Sequence, residues 1–281
     1  MSLPANIARI FPHRPTSASP TDPLAFYNRI PSTMPPQVDT IHISCSFTWH
    51  KQRAEQLAGI CELIGYKVNI GGPAYGTPAG EFVPGMYLKQ GYTFTSRGCP
   101  NKCKHCLVPQ RQGKLVELPI TDGFNILDDN LLACSPEHIH KVFEMLSRQK
   151  ERPIFTGGLE AKILQPWHVD LLREARTERL YCAYDEPNDF APLVDAGKML
   201  RDGGISKKSQ KARAYVLVGY DGDTPEKADK RMRDTWHIAG FVPYAMYYRG
   251  MDYVKTPQEW RKFLVPWEIP QTRAKVLEEA V

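Results

Sequence analysis

From Val38 onward the chain switches between two hydrophobic periods. Asp39-Thr-Ile-His-Ile-Ser-Cys alternates as a half-buried strand does, and Trp49 to Ile64 carries apolar residues at helical spacing. Tyr66-Lys-Val-Asn-Ile then reads as a second strand that ends in Gly71-Gly72-Pro73. This pattern predicts a small β-α-β unit, with the glycines as a structural turn. Beyond Gly91, strand-like runs begin near Tyr92, Phe124, Pro153, Arg179, Arg213 and Val242, at steps of roughly 30 residues, the size of a βα unit. Helical patterns fill the gaps: Ser135 to Gln149, Pro166 to Arg176, Phe190 to Leu200 and Thr224 to Ala239. Ser135-Pro136 and Thr224-Pro225-Glu226 are helix start signals, because a hydroxyl caps free amides and proline preforms the first turn. Six such units predict an α/β fold, a parallel sheet curled into a partial (β/α)6 TIM-like barrel with a small N-terminal β-α-β extension. Residues 1–37, rich in Pro, Ser and Thr and without a period, are predicted to be an extended arm that supplies no strand. The expected division is residues 1–85 for the arm and the β-α-β unit, and 86–281 for the barrel with a C-terminal helical tail.

Composition narrows the setting. With 42% hydrophobic and 24% charged residues among 281, the chain is long and apolar enough for a full core. A net charge of +5 permits an anionic partner without requiring one. No uninterrupted apolar run has membrane-spanning length and the N-terminus lacks the regions of a signal peptide, so the expectation is a cytoplasmic protein with no membrane partner. In a reducing compartment, seven cysteines point to metal ligation rather than disulfides.

Three of those thiols, Cys99, Cys103 and Cys106, stand in a C-x3-C-x2-C spacing within the stretch from Tyr92 to Lys114. Thiolates are soft ligands for iron–sulfur clusters or zinc, and three on one loop can wrap a single site. Three is one short of a closed site, so a [4Fe–4S] cube held this way keeps one iron without a protein ligand, open to a cofactor or substrate. Zinc is the competing reading, but it needs a second ligand pair. Cys45, Cys61, Cys134 and Cys182 are scattered singly and are expected in the core.

The loop resembles the C-x3-C-x-φ-C signature of the radical S-adenosylmethionine (SAM) superfamily, with His105 at the φ position. Ser96-Arg97-Gly98 and Val108-Pro109 resemble the methylthiotransferase and cobalamin-domain branches, and the chain at large is similar to short uncharacterised radical SAM proteins of bacteria and bacteriophages. The resemblance implies a [4Fe–4S] cluster on Cys99, Cys103 and Cys106, and SAM cleaved to methionine and a 5′-deoxyadenosyl radical. It also implies an electron donor of the flavodoxin or ferredoxin type. The first choice of substrate is a nucleotide or nucleic-acid base, suited to Lys102, Lys104, Arg111 and Lys114 around the loop. A non-catalytic iron–sulfur protein and a tRNA methylthiotransferase-like enzyme are the alternatives. The latter carries three further N-terminal cysteines where this chain has only Cys45 and Cys61, and its terminal RNA-binding barrel is not expected in the residues after Trp267. No D-x-H-x-x-G occurs, so the protein is expected to work without cobalamin, its N-terminal unit covering an open edge of the barrel.

In barrels of this kind the chemistry sits at the C-terminal ends of the strands. That rule selects Asp128-Asp129-Asn130, Gly157-Gly158-Leu159-Glu160, Asp185, Gly219 and Tyr247-Tyr248-Arg249. The resemblance implies that Asp128, Asp129 and Asn130 meet the amino group of SAM, while Glu160, Asp185 and the backbone at Gly219 hold its ribose and adenine. Gly157-Gly158-x-Glu160 resembles a SAM-binding motif. Lys207, Lys208, Lys211 and Arg213 precede the fifth strand and are expected to form a solvated loop. Tyr244, Tyr247, Tyr248, Arg249, Trp260 and Trp267 are expected to close the mouth, with packing under the barrel edge as the alternative for the two tryptophans.

Overall fold

The computed structural model describes residues 3–77, 82–250 and 255–278. They divide into two compact units, one built mainly from the chain up to Thr93 and the other mainly from Phe94 onward. The first contains β1 (Ile7–Phe11), β2 (Ala25–Tyr27), β3 (Thr40–Ser44), helix α1 (Lys51–Leu63) and β4 (Lys67–Gly71). Its sheet has the order β2-β1-β3-β4 with every pairing parallel. The expected β3-α1-β4 unit is present, with Ile41 and Ile43 buried in one cluster with Ala54, Leu57, Ala58 and Cys61 of α1. Gly72 has φ +106°, and a Cβ there would lie 2.7 Å from the Cys45 carbonyl oxygen, which makes the glycine a requirement of the turn.

The expected strandless arm is a correction. β1 and β2 both lie within it and turn a two-stranded unit into a four-stranded parallel sheet. β1 pairs with β3 from Ile7↔Thr40 to Ile10↔Ile43, a partnership far away in sequence that leaves no local period. Its central residue, Arg9, is fully buried and ion-paired with Asp22, so a charge interrupts what would otherwise read as an apolar strand.

The six predicted strands are present as β5 (Tyr92–Thr93), β8 (Asn125–Ile126), β9 (Ile154–Phe155), β10 (Arg179–Tyr184), β11 (Ala212–Val218) and β12 (Val242–Tyr247). Between the first two, β6 (Ser96–Arg97) and β7 (Val116–Glu117) pair antiparallel, with the short helix α2 (Val108–Arg111) between them. The six run side by side in sequence order, with β5 and β12 as the two edges, and the pairings from β8 to β12 are parallel. The sheet is thus open, a partial barrel rather than a closed one. Helices α3 (Pro136–Ser147), α4 (Pro166–Glu174), α5 (Phe190–Asp202) and α6 (Pro225–Asp234) fill the crossovers. Ser135 and Thr224 cap α3 and α6 by accepting from the amides of His138 and Lys227, as their sequences predict.

Strict alternation along β11 buries Ala212, Ala214, Val216 and Val218, which belong to the main core with Leu193, Ala196 and Met232 of the helices. Arg213, Tyr215 and Leu217 take the opposite face. The chain ends in α7 (Gln258–Glu268) and α8 (Pro270–Glu278). Trp260 and Trp267 are buried in the same core, so packing, not closure of a mouth, is their role. Cys45, Cys61, Cys134 and Cys182 are buried as expected, and burial pushes the Cys134 and Cys182 thiols up to about 11 and about 12.

Candidate functional site

The root of the cysteine loop is held by the residues that follow β8. Asp128 is 1% exposed. One of its oxygens accepts from the Thr95 amide (2.6 Å), the other from the hydroxyls of Thr95 (2.5 Å) and Ser96 (2.8 Å). Burial pushes its pKa up, against the opposing pull of these hydrogen bonds. Asp129 accepts from the Gly98 amide at 2.8 Å. Gly98 has φ +85°, and a Cβ there would lie 2.3 Å from the Lys114 carbonyl oxygen, so only glycine lets the two ends of the loop come this close. The two aspartates therefore clamp the chain just before Cys99.

Asn130 reaches the first thiol. Its Nδ2 donates to Cys99 Sγ at 3.4 Å and to Glu160 Oε2 at 2.6 Å, while its Oδ1 is buried without a hydrogen-bond partner. The amides of Asn101 and Val108 donate to Cys99 Sγ and Cys106 Sγ, each at 3.5 Å. Cys106 N–H closes a turn on the Cys103 carbonyl at 3.1 Å. Donors aimed at sulfur favour the thiolate, the form that ligates iron. Cys103 has an exposed surface, yet desolvation of its thiol comes first in raising its pKa, followed by Cys106, Asp189, Cys99 and Glu186. Among the described residues no three His, Cys, Asp or Glu side chains converge as a preassembled metal cage. The ligand set therefore rests on the spacing and on these N–H···S contacts.

The glycine pair after β9 explains how Glu160 reaches Asn130. A Cβ on Gly157 would lie 2.2 Å from the Asp128 carbonyl oxygen, and Gly158 turns the chain with φ +97°. The backbone crosses tightly over residues 127 and 128 and delivers Glu160 to the amide. After β10, Asp185 lies 3.2 Å from Nε2 of His105, and Glu186 lies 3.9 Å from Nδ1. The hydrogen bond to Asp185 is the main cause that raises the His105 pKa. Asp189 accepts from the amides of Asp185 and Glu186 and pairs with Lys162 at 2.7 Å. After β11, Gly219 has φ +78° and donates its N–H to Asp223, and the next residue, Tyr220, sets its ring against His105 at 5.9 Å.

The strand ends selected from the sequence thus gather around one loop: Asp129 at Gly98, Asn130 at Cys99 and Glu160, and Asp185 at His105. Gly157 packs behind Asp128, while Gly158 and Gly219 are turns. Thr95, Lys162 and Asp189 were not singled out in the sequence, whereas Ser96 entered only through the Ser96-Arg97-Gly98 resemblance and Tyr220 only as the neighbour of Gly219. Lys102, Lys104 and Lys114 are exposed and form no ion pair with a described residue. The expected solvated loop at residues 207–213 needs correction at two positions. Lys207 donates to the Trp236 carbonyl and lies 4.4 Å from that indole's centre, and Arg213 is on β11 among tyrosines. A cavity of about 600 Å³ opens ahead of β9, lined by His140, Phe143, Glu151 and Arg176, at the opposite end of the strands from this site.

No protein-family model and no curated protein matches the sequence. Among solved structures, the chain is similar to the radical S-adenosylmethionine methyltransferase TsrM from Kitasatospora setae, determined with cobalamin and a [4Fe-4S] cluster bound. The TM-score is 0.58 at 10% identity, over 86% of this chain and 74% of that one. At this identity the likeness is one of fold, and nothing at the sequence level ties the chain to bacteriophage proteins. With its parallel sheets, open six-stranded order and βα repeats, the chain has a partial TIM-like fold of the radical SAM kind.

Proposed function

We propose that this protein is a radical SAM enzyme. The observation that carries the reading is Asn130, which joins the first cysteine of the C-x3-C-x2-C loop to Glu160 from the next strand end. The residues present fit the cofactors. Cys99, Cys103 and Cys106 would hold a [4Fe–4S] cluster through three thiolates, and the N–H···S donors to Cys99 and Cys106 favour that charge state at those two. The buried, unpartnered Oδ1 of Asn130 and the neighbouring Glu160 carboxylate are acceptors suited to the ammonium of SAM. When bound, cluster and SAM supply one-electron cleavage of the sulfonium and a carbon radical that removes a substrate hydrogen atom. The chain's own residues then have separable tasks. Asp128 and Asp129 fix the root of the loop, and the His105–Asp185 pair pins the turn between the second and third cysteines to the end of β10. Gly157 and Gly158 let the backbone after β9 cross residues 127 and 128 and deliver Glu160 to the site, and Gly219 turns the chain after β11. The exposed Lys102, Lys104 and Lys114 would meet an acidic electron donor of the flavodoxin or ferredoxin type, or an anionic substrate such as a nucleotide or nucleic-acid base. Anaerobic incubation with dithionite and SAM is expected to release 5′-deoxyadenosine. A full cluster with no release would favour a non-catalytic iron–sulfur protein instead.

One observation favours a second reading, radical methyl transfer on cobalamin. The first unit has four parallel strands rather than two, with its order reversing between β1 and β3, the place where open α/β sheets bind ligands. The D-x-H-x-x-G motif is still missing, so the cobalamin-free reading stands first. Co-elution of one equivalent of added cobalamin with the protein would reverse that order.

A further inference from the structure

We infer that the N-terminal halves of β10, β11 and β12 carry a binding site for a phosphoryl oxyanion, formed by Arg213, Arg273, Tyr181 and Tyr244. The inference is independent of the radical SAM reading and uses none of its residues. Parallel register brings the elements together: Tyr181 lies opposite Arg213, and Tyr215 opposite Tyr244. Arg213 Nη1 donates to the hydroxyl oxygens of Tyr181 (3.2 Å) and Tyr244 (2.8 Å), and its Nε donates to the Gln210 carbonyl (2.9 Å). From α8, Arg273 places its guanidinium 4.9 Å from the centre of the Tyr244 ring, and Arg213 lies 5.2 Å from the same centre. Two cations therefore share one aromatic ring.

Neither has a carboxylate partner among the described residues. Arg273 is buried, and the one hydrogen bond of its side chain to a described residue is a long one, 3.4 Å, to the Pro243 carbonyl. Arg231 and Arg233 are less buried than Arg273, yet each is paired with an aspartate, Asp223 and Asp229. Burying a cation without a counter-ion is costly, and two such cations at one ring also repel one another. The hydroxyls of Tyr181 and Tyr244 accept from Arg213 and donate to no described residue, so each has a proton to give. Two guanidiniums and two phenol protons are more donors than one carboxylate can use. They match the three oxygens and double charge of a phosphoryl group. Arg213 and Tyr244 are only half-buried, which leaves the group a way in. Arg213 lies six residues before Gly219, about 20 Å along the strand at ~3.3 Å per residue, so the site is separate from the cysteine loop.

The test is thermal shift and calorimetric titration of the full-length protein with inorganic phosphate, adenosine 5′-monophosphate and succinate, at constant ionic strength. Saturable stabilisation by phosphate is expected. Its half-effect concentration should rise at least about tenfold in Arg213→Gln and in Arg273→Gln, the loss of one charge-assisted partner. Lys208→Gln, an exposed basic control, should leave it unchanged. Tyr244→Phe removes only a hydroxyl and should also weaken binding, which keeps the test decisive if an arginine variant fails to fold. Equal action of phosphate and the nucleotide supports a free phosphate site. Tighter binding of the nucleotide supports the same site with a nucleotide as its source. No saturable effect in the wild type, unchanged affinity in Arg213→Gln and Tyr244→Phe, or tighter binding of succinate would overturn the assignment.

Discussion

Asp128 separates a structural carboxylate from a ligand-binding one. It lies at the strand end from which a contact to SAM is expected, yet both its oxygens are engaged by Thr95 and Ser96. Replacing it with alanine strands the buried Thr95 amide and empties the space of a carboxylate, while the two hydroxyls can turn toward other acceptors. One orphaned backbone donor together with the lost charge-assisted bonds should cost about 3–5 kcal/mol. At ~2–4 °C per kcal/mol in a domain of this size, the melting temperature should fall by roughly 6–20 °C. Asp128→Asn should cost about 1 kcal/mol or less, because its carbonyl keeps the Thr95 amide and the hydroxyls can accept from its NH2. The pH dependence gives a second handle. The folded-state pKa is raised above the ordinary value of 3.8, so this group's stabilising contribution is complete below that value and is lost as pH rises through the folded-state pKa. Asp128→Asn should abolish that part of the slope. Urea unfolding of the three proteins across this range measures both effects. Wild-type stability in Asp128→Ala would refute the clamp. Loss of SAM binding in a fully stable Asp128→Asn would return the residue to the ligand.

Reconstituted anaerobically, the protein should hold about four irons and four sulfides per chain. Alanine at Cys99, Cys103 and Cys106 should abolish the cluster, whereas Cys61→Ala and Cys182→Ala should retain it by iron and sulfide analysis. Asn130→Ala and Glu160→Gln should each weaken SAM binding by roughly 30- to 150-fold, corresponding to about 2–3 kcal/mol for a charged acceptor or its partner, as read by equilibrium dialysis. Gly157→Ala should destabilise the fold by at least about 2 kcal/mol, because the clash is with backbone and no rotamer can relieve it. Urea unfolding of Gly204→Ala, where a Cβ meets nothing but φ is positive, provides the strain-only comparison.

Much of the architecture was legible in the chain because its signals are local. A βα repeat writes its period into each strand and helix, and the capping residues Ser135 and Thr224 act within one turn. The cysteine spacing is confined to eight residues, and the rule that chemistry sits at the ends of parallel strands follows from topology alone. β1 and β2 were not legible, since five- and three-residue strands bracketed by prolines acquire their structure from pairing with β3, and Arg9 masks the apolar pattern until Asp22 compensates it. Arg213 and Lys207 read as a charged loop because charge in sequence implies solvent. Only the register of β10 to β12 shows Arg213 among tyrosines, and only the turn after α6 gives Lys207 its carbonyl. The contacts of Asn130 with Cys99 and of His105 with Asp185 join strand ends far apart in sequence. Periodicity and turn chemistry act over a few residues and so determined the elements and the ligating loop, whereas partners for buried charges and polar groups are chosen by register and sheet curvature, which exist only in the folded chain.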